Sequence, residues 1–332
     1  MSAGGVNQKM FQIDLESGSG KKNTMGSDII LISTIIPTYN RAETVGYSIK
    51  SVLAQTHPVY EIIVIDDGST DNTRQVVENI DSPKIKYLHQ ENRGGAGALN
   101  SGIHAALGNW IAILDSDDLW QKDKLEKQVE LIRQNCAIDF VHTDRTLCWE
   151  NGRTETRSAR TLSEFTKKEF LFAYWATKQS TVLFRKSLAE KAGCVFREDL
   201  RTCYDYEFFW KLIFCARQVG YVTKPVVKIA MTNDGLSRTD SKINRTYDNI
   251  IAMSSVIDWM ERRGERLGKF RQILAHRMIA EFRTIIEIRQ VENSRGRISK
   301  ELLHLSRITK GPAKREIAKV LIKKLRIWEK IR

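Results

Sequence analysis

The chain is poor in cysteine, with five in 332 residues and no C-x-x-C among them. Cys136, Cys148, Cys194, Cys203 and Cys215 are scattered and odd in number. That pattern argues against a disulfide framework or a zinc site and for reduced thiols in a cytoplasm. No apolar run approaches the roughly 18 residues that a bilayer-spanning helix needs. Residues 1–28 are polar, with Gly, Ser and Lys and no apolar core of a secretory signal, so a mobile extension is expected there. None of the six histidines has a partner at metal-ligand spacing, and none is assigned to chemistry.

What is present in excess is positive charge. The formal net charge is +13, and residues 301–332 hold ten Lys/Arg against three Glu. A basic surplus attracts anionic partners: nucleic acid, anionic lipid or phosphorylated substrates. Its concentration in the last tenth of the chain suggests a surface-binding appendage more than a charged active site. There Ile317, Val320, Leu321, Leu325, Trp328 and Ile331 share one helical face, with Lys319, Lys323, Arg326 and Lys330 largely on the other. This is the pattern of an interfacial helix on an anionic membrane, and equally of an outer helix packed on its neighbours.

The hydrophobic pattern alternates strand and helix. Strands are expected at Ile29–Ile36 (stopped by Pro37), Glu61–Ile65, Ile85–Leu88 and 110–114. Helices are expected at about Ala42–Gln55, at Thr73–Ile80 with Asp71 or Asn72 as N-cap, and from Ala96 to Gly108. The order β-α-β-α-β-α-β at crossover spacing predicts an α/β fold, a largely parallel sheet flanked by helices. Beyond it come a helix over Lys122–Asn135, a strand Ile138–His142 and a hairpin turning at Asn151-Gly152. A strand Ser180–Phe184, a short helix closed by Gly193, a helix within Asp199–Val219 and a strand Tyr221–Ile229 follow. From about Asp240 the pattern is purely helical, which puts a domain boundary near Asp234-Gly235.

The chain is organised around Trp110-Ile-Ala-Ile-Leu-Asp115-Ser-Asp117-Asp118-Leu-Trp120. An apolar strand runs into three carboxylates, which cannot be buried unpaired. They therefore stand at the carboxyl end of a central strand, where open α/β sheets bind ligands. A divalent cation relieves their repulsion, and Mg²⁺ is typically held by one or two carboxylates plus substrate phosphates. The plainer alternative is that Ser116 or Asp117 caps the next helix. The strand ends 36–40 and 65–67 converge on the same edge.

Three segments in this order and spacing resemble the family 2 glycosyltransferases of GT-A fold: Thr34-Ile-Ile-Pro-Thr-Tyr-Asn40, Val64-Ile-Asp-Asp-Gly-Ser-Thr-Asp71 and Leu114-Asp-Ser-Asp-Asp-Leu-Trp120. Asn92-Arg-Gly-Gly-Ala-Gly-Ala-Leu-Asn-Ser-Gly102 matches the family's glycine-containing loop and helix. The resemblance covers about residues 30–230. It implies a GT-A Rossmann-like domain over 29–235, with a nucleotide half 29–120 and an acceptor half 121–235. Residues 236–332 would be a helical, basic C-terminal region. The resemblance also implies Mn²⁺ or Mg²⁺ as cofactor and an NDP-sugar, chiefly a UDP-sugar, as donor. Backbone at Pro37, Thr38 and Tyr39 would flank the base, Asp66 would accept from a pyrimidine N–H, and Arg93 would bind phosphate. Asp115 and Asp117 match the family's D-x-D, Asp117 toward the metal. Asp205 aligns as the general base, with Tyr204 where Glu is common and Glu198 or Asp199 as fallback. Trp175, Gln179, Ser180 and Tyr204 are candidates for the acceptor pocket. The implied product is a β-linkage formed by inversion.

Each role has a bland counterpart. Asp67 and Asp71 serve turn hydrogen bonds, Arg93 is a surface residue, the glycines serve the turn, Asp205 caps its helix, and Trp175, Gln179 and Ser180 are packing. No Gln-x-x-Arg-Trp follows the candidate base, and that motif accompanies processive synthases, so one sugar per encounter is expected. The expected acceptor is a glycan or lipid-linked hydroxyl in bacterial surface polysaccharide or lipopolysaccharide synthesis, with the enzyme cytoplasmic or peripheral on the inner face of the plasma membrane. Two alternatives compete. A nucleotidyltransferase would carry a Gly-rich, Lys/Arg-bearing loop after the first strand, which Pro37-Thr-Tyr-Asn does not supply. A nucleic-acid-binding protein is suggested by charge alone, without an aromatic RNA motif or zinc finger, so no nucleic-acid partner is expected. Donor sugar, linkage and oligomeric state stay open.

Overall fold

The structure is a computed structural model that describes residues 29–158, 178–232 and 242–264, with isolated positions at 277, 278, 280, 281 and 284. The expectations for 1–28, for Trp175, for the boundary at 234–235 and for the final basic helix lie outside the described residues. The chain divides into two compact units, Met1–Glu198 with Phe208–Thr232, and Asp199–Glu207 with Asn233–Arg332.

The first unit is built on β1 (Ile32–Thr38), α1 (Val45–Leu53), β2 (Glu61–Asp66), α2 (Thr73–Glu78), β3 (Ile85–His89), α3 (Gly94–Ala105) and β4 (Trp110–Ile113). Then come β5 (Leu119–Trp120), α4 (Lys124–Gln134), β6 (Ile138–Trp149), β7 (Thr154–Arg157), a 3₁₀ turn (Gln179–Thr181), β8 (Leu183–Arg185) and α5 (Lys186–Ala192). Helix α6 (Tyr204–Cys215) and β9 (Gln218–Met231) complete the series. Strands β2 and β4 are buried along their whole length, as parallel strands covered on both faces must be. Edge strand β3 is half exposed and carries Lys86 and His89.

The sheet order is β3-β2-β1-β4-β8-β6-β9-β5, with β7 on β6. The first four strands are parallel. Beyond β4 the sheet is mixed: β8 is antiparallel to β4 and β6, β9 is parallel to β6, and β5 is antiparallel to β9. Parallel pairing thus describes the nucleotide half and not the whole sheet. The chain leaves β1 toward β2 and β3, then returns to β4 on the other side. That reversal is a topological switch point, where the crevice at the carboxyl ends opens.

Three boundaries differ from the sequence reading for local reasons. Strand β1 does not stop at Pro37; Pro37 and Thr38 pair with Ile65 and Asp66. Odd-numbered residues of β1 bond toward β4, as Trp110 N to Leu31 O and Leu114 N to Ile35 O show. By Pro37 strand β4 has ended, so the missing N–H has no ladder partner to lose. Ser180–Phe184 is not one strand: a 3₁₀ turn occupies Gln179–Thr181 and strand β8 starts at Leu183. Leu119 and Trp120 form a strand against β9, and the following helix starts at Lys124 behind Asp123. The acidic cluster therefore caps no helix. Gly193 closes α5 in the left-handed conformation (φ 57°), and Asn151-Gly152 turns the β6–β7 hairpin, both as expected.

In the second unit the described elements are α7 (Lys242–Arg262) and the stretch Asp199–Glu207, which includes the first turn of α6. Asp248 Oδ2 accepts from Thr202 N at 2.7 Å and from Thr202 Oγ1 at 2.8 Å. Ser255 Oγ donates to the buried Glu207 at 2.6 Å. Among the described residues no helix is long and apolar enough to cross a membrane.

Candidate active site

The acidic loop leaves β4 at the switch point, and its three carboxylates have different environments. Asp118 is buried: Oδ2 accepts from Ser180 Oγ at 2.6 Å and Oδ1 from Ala230 N at 2.9 Å. Burial first, then Asp115 and Asp117, push its carboxyl well above the usual carboxylate range. Asp118 is thus a structural tie from the loop to the 3₁₀ turn and β9. Asp115 is half-buried; its N–H donates to Ser180 Oγ at 3.1 Å, and Gln179 Nε2 donates to its Oδ1. Asp117 is half-buried beside Arg41, whose guanidinium lies 3.9 Å from Oδ2.

The turn Gln179–Thr181 is fixed from behind. Trp120 Nε1 donates to Ser180 O at 2.8 Å, and Gln128 Nε2 to Thr181 O at 3.1 Å. Lys124 is fully buried, its ammonium 3.8 Å above the Trp120 ring and 3.0 Å from Gln128 Oε1. Burial pulls the Lys124 pKa well below the ordinary lysine value. Ser180 does not line a pocket; it is wholly buried and holds the loop.

The loops after β1 and β2 brace each other. Asn40, at φ 50°, donates its N–H to Ser69 Oγ and accepts from Thr70 N, each at 2.8 Å. Arg41 N donates to Thr73 Oγ1 at 2.9 Å and Ala42 N to Asp71 Oδ2 at 3.1 Å. Burial tends to raise the Asp71 carboxyl, but bonds from Thr73 and Ala42 outweigh it and hold the group below its ordinary range. Asp71 also accepts from Thr73 N at 2.9 Å, so it satisfies the start of α2 although Asn72 holds the cap position.

Of the predicted donor residues, Pro37, Thr38 and Tyr39 close β1, with Thr38 buried and Tyr39 48% exposed. Asp66 pairs with Thr38 across the sheet and is buried; both oxygens are engaged, by Ser69 N at 2.8 Å and Tyr87 Oη at 2.6 Å. Burial and that bond push the Tyr87 hydroxyl up, so it remains a donor. The neighbouring Asp67 accepts through Oδ1, from Gln90 Nε2 at 2.6 Å and from Arg93 N at 2.9 Å. Sequence reasoning singled out Asp66 and left Asp67 to the turn. The Asp-Asp-Gly run holds both, and only pairing with β1 and β3 separates them.

Arg93 caps α3, and its side chain forks onto Glu198 at 3.2 and 2.7 Å, both partly exposed. The Asn100 amide, then Arg93, hold the Glu198 carboxyl below its ordinary value. Gly97 serves this arrangement: a Cβ there would lie 2.5 Å from Arg93 Cβ. Asp205 belongs to the second unit, in the first turn of α6 after Tyr204, and its Oδ1 accepts from Tyr206 N at 3.0 Å. Cys203 just before it adopts φ 61°. From the sequence, Arg41 and Gln90 were given no role, and Asn40 entered only as the end of the first motif.

Residues 33–192 match the family model described as Glycosyl transferase family 2. A 45% identity over 116 residues relates the chain to the Escherichia coli UDP-Glc:alpha-D-GlcNAc-diphosphoundecaprenol beta-1,3-glucosyltransferase WfgD, covering 35% of this chain and 46% of that one. In fold it is similar to Staphylococcus aureus TarS (residues 1–349) crystallised with UDP-GlcNAc, with TM-score 0.64 and 22% identity over 76% of this chain and 72% of that one. It is also similar to the mannosyltransferase PcManGT of Pyrobaculum calidifontis in complex with GDP-Man and Mn²⁺, with TM-score 0.56 and 20% identity over 90% of this chain and 83% of that one. The matched stretch spans between 22% and 46% of the length of the first curated relatives.

Proposed function

We propose, from the match of residues 33–192 to the family model described as Glycosyl transferase family 2, that this protein moves one sugar from a nucleoside-diphosphate sugar, a UDP-sugar in the first instance, to a hydroxyl of a glycan or lipid-linked acceptor. The observation that carries the reading is the acidic loop at the switch point, where Asp115 and Asp117 stand half-buried at the carboxyl end of β4. WfgD, as its name states, uses UDP-Glc on a lipid-diphosphate acceptor, which supports the donor and acceptor classes.

The residues fit a divalent cation of the Mg²⁺ or Mn²⁺ kind. No cluster of three or more His, Cys, Asp or Glu able to hold a metal occurs among the described residues. A cation held by one or two carboxylates plus substrate phosphates needs no such cluster. Asp117, with Asp115 beside it, supplies those oxygens, whereas Asp118 is committed to Ser180 and Ala230. When bound, the metal neutralises charge on the leaving nucleoside diphosphate.

The chain's own groups do the rest in this reading. Tyr39 covers the base, Pro37 and Thr38 flank it, and Asp66 or its neighbour Asp67 accepts from the pyrimidine N–H. Arg93 exchanges Glu198 for a phosphate oxygen. Asp205 takes the proton from the acceptor hydroxyl as that oxygen bonds to the anomeric carbon; the bond to the diphosphate breaks on the opposite face, which inverts the centre. Glu198 is the weaker candidate base, since Asn100 and Arg93 stabilise its ionised form. In this reading the basic segment 301–332 would meet an anionic membrane surface near a lipid-linked acceptor.

The test is nucleotide release from a panel of UDP-, GDP- and TDP-sugars with Mn²⁺ or Mg²⁺ and with EDTA. Turnover of one donor, abolished by EDTA and by Asp117→Ala and reduced at least about a hundredfold by Asp205→Asn, is expected. No metal-dependent binding of any NDP-sugar, read by thermal shift, removes the transferase reading.

A further inference from the structure

The turn Gln179–Thr181 is far in sequence from the acidic loop, yet its side chains are spent on it. Ser180 takes Asp115 N and Asp118 Oδ2, and Gln179 takes the Asp115 carboxylate. The turn's own backbone is anchored by two side chains, Trp120 and Gln128, that reach it from β5 and α4. A side chain held on so constrained a backbone has its direction set in advance.

The chemistry of the contact fixes how Gln179 is turned. An ionised carboxylate only accepts, so the amide nitrogen faces Asp115 and Oε1 faces away. That Oε1 is buried and has no hydrogen-bond partner among the described residues. Leaving a buried carbonyl unpaired is unfavourable, and a site that keeps the pose keeps it for the bond on the other end. We propose that Gln179 is the positioning residue of donor binding: it grips Asp115 and so fixes the direction in which that carboxylate meets the bound nucleoside diphosphate. This rests on the donor reading above and assigns Gln179 to the donor side, not to the acceptor pocket.

Charge and shape make opposite predictions, which gives the test. Gln179→Glu is nearly isosteric but places a second carboxylate against Asp115. Gln179→Met keeps length and volume and only removes the donor. A packing role makes Glu the milder change; a positioning role makes it the worse one. With Mn²⁺ present, calorimetry of UDP on the full chain should show about a threefold weaker Kd for Gln179→Met and at least about tenfold for Gln179→Glu. Gln179→Met should melt near wild type and Gln179→Glu lower, and in both KM for the donor should rise more than kcat falls. Wild-type-like affinity in Gln179→Glu, or a smaller loss than in Gln179→Met, overturns the inference while the donor reading stands. If wild-type protein takes up no nucleoside diphosphate at all, the donor reading falls and this inference with it.

Discussion

His142 sits in β6 with none of its surface exposed and stacks on Tyr221, ring centroids 4.6 Å apart. Burial first, then the Arg145 charge, drives its pKa from 6.5 down to about 3. The folded protein therefore keeps His142 neutral where the unfolded chain protonates it. Stability from this residue is full above the unfolded value of 6.5 and is lost as pH falls from there toward about 3. Urea titrations from pH 7 to pH 4 should show the wild type losing about 1.4 kcal/mol per pH unit more than His142→Phe below pH 6. Parallel slopes in the two proteins would count against a buried neutral imidazole. At this scale the sequence was legible for residue types and weak for partners. Asp115, Asp117 and Arg93 stand out by motif, but nothing in the string says that Ser180 ties Asp115 to Asp118, or that Asp66 spends both oxygens on Ser69 and Tyr87.

Elements were legible where one periodicity ran uninterrupted. The buried strands β1, β2 and β4 and the amphipathic helix α4 follow from apolar runs and 3.6-residue spacing, because burial of apolar surface outweighs every other local preference there. Short pieces were not: the strand Leu119–Trp120 and the turn Gln179–Thr181 are too brief to show a period and exist because β9, Trp120 and Gln128 receive them. Packing between elements is equally silent in sequence. Helix α3 presses on β1 through Gly102, where a Cβ would lie 2.4 Å from Ile35 Cγ2. Ile35 is fully buried and has little room to yield. Gly102→Ala should gain some helix propensity yet destabilise the protein by about 1–3 kcal/mol through overpacking. Thermal melts should register it as a drop of several degrees, and an unchanged or raised melting temperature would mean that α3 can shift away from β1.

For the molecule as a whole, the net charge of +13 is a statement about encounters, not about fold. If the basic segment serves a membrane surface, co-sedimentation with phosphatidylglycerol vesicles should fall on deleting 312–332, and binding by the intact chain should weaken as salt is raised. Equal vesicle binding by the intact and shortened proteins would assign the charge elsewhere. By itself the sequence determined the α/β class, the strand that ends in carboxylates and the family model that residues 33–192 match. Those depend on near-neighbour chemistry: hydrophobic period, turn residues and charges that cannot be buried unpaired. Only the tertiary structure decided which carboxylate is a structural tie and which two stay half-buried, that Gln179 lies on Asp115 sixty-four positions away, and that the sheet turns mixed after β4. Hydrogen bonds and desolvation depend on what arrives from elsewhere in the chain, and a linear order of residues does not record that arrival.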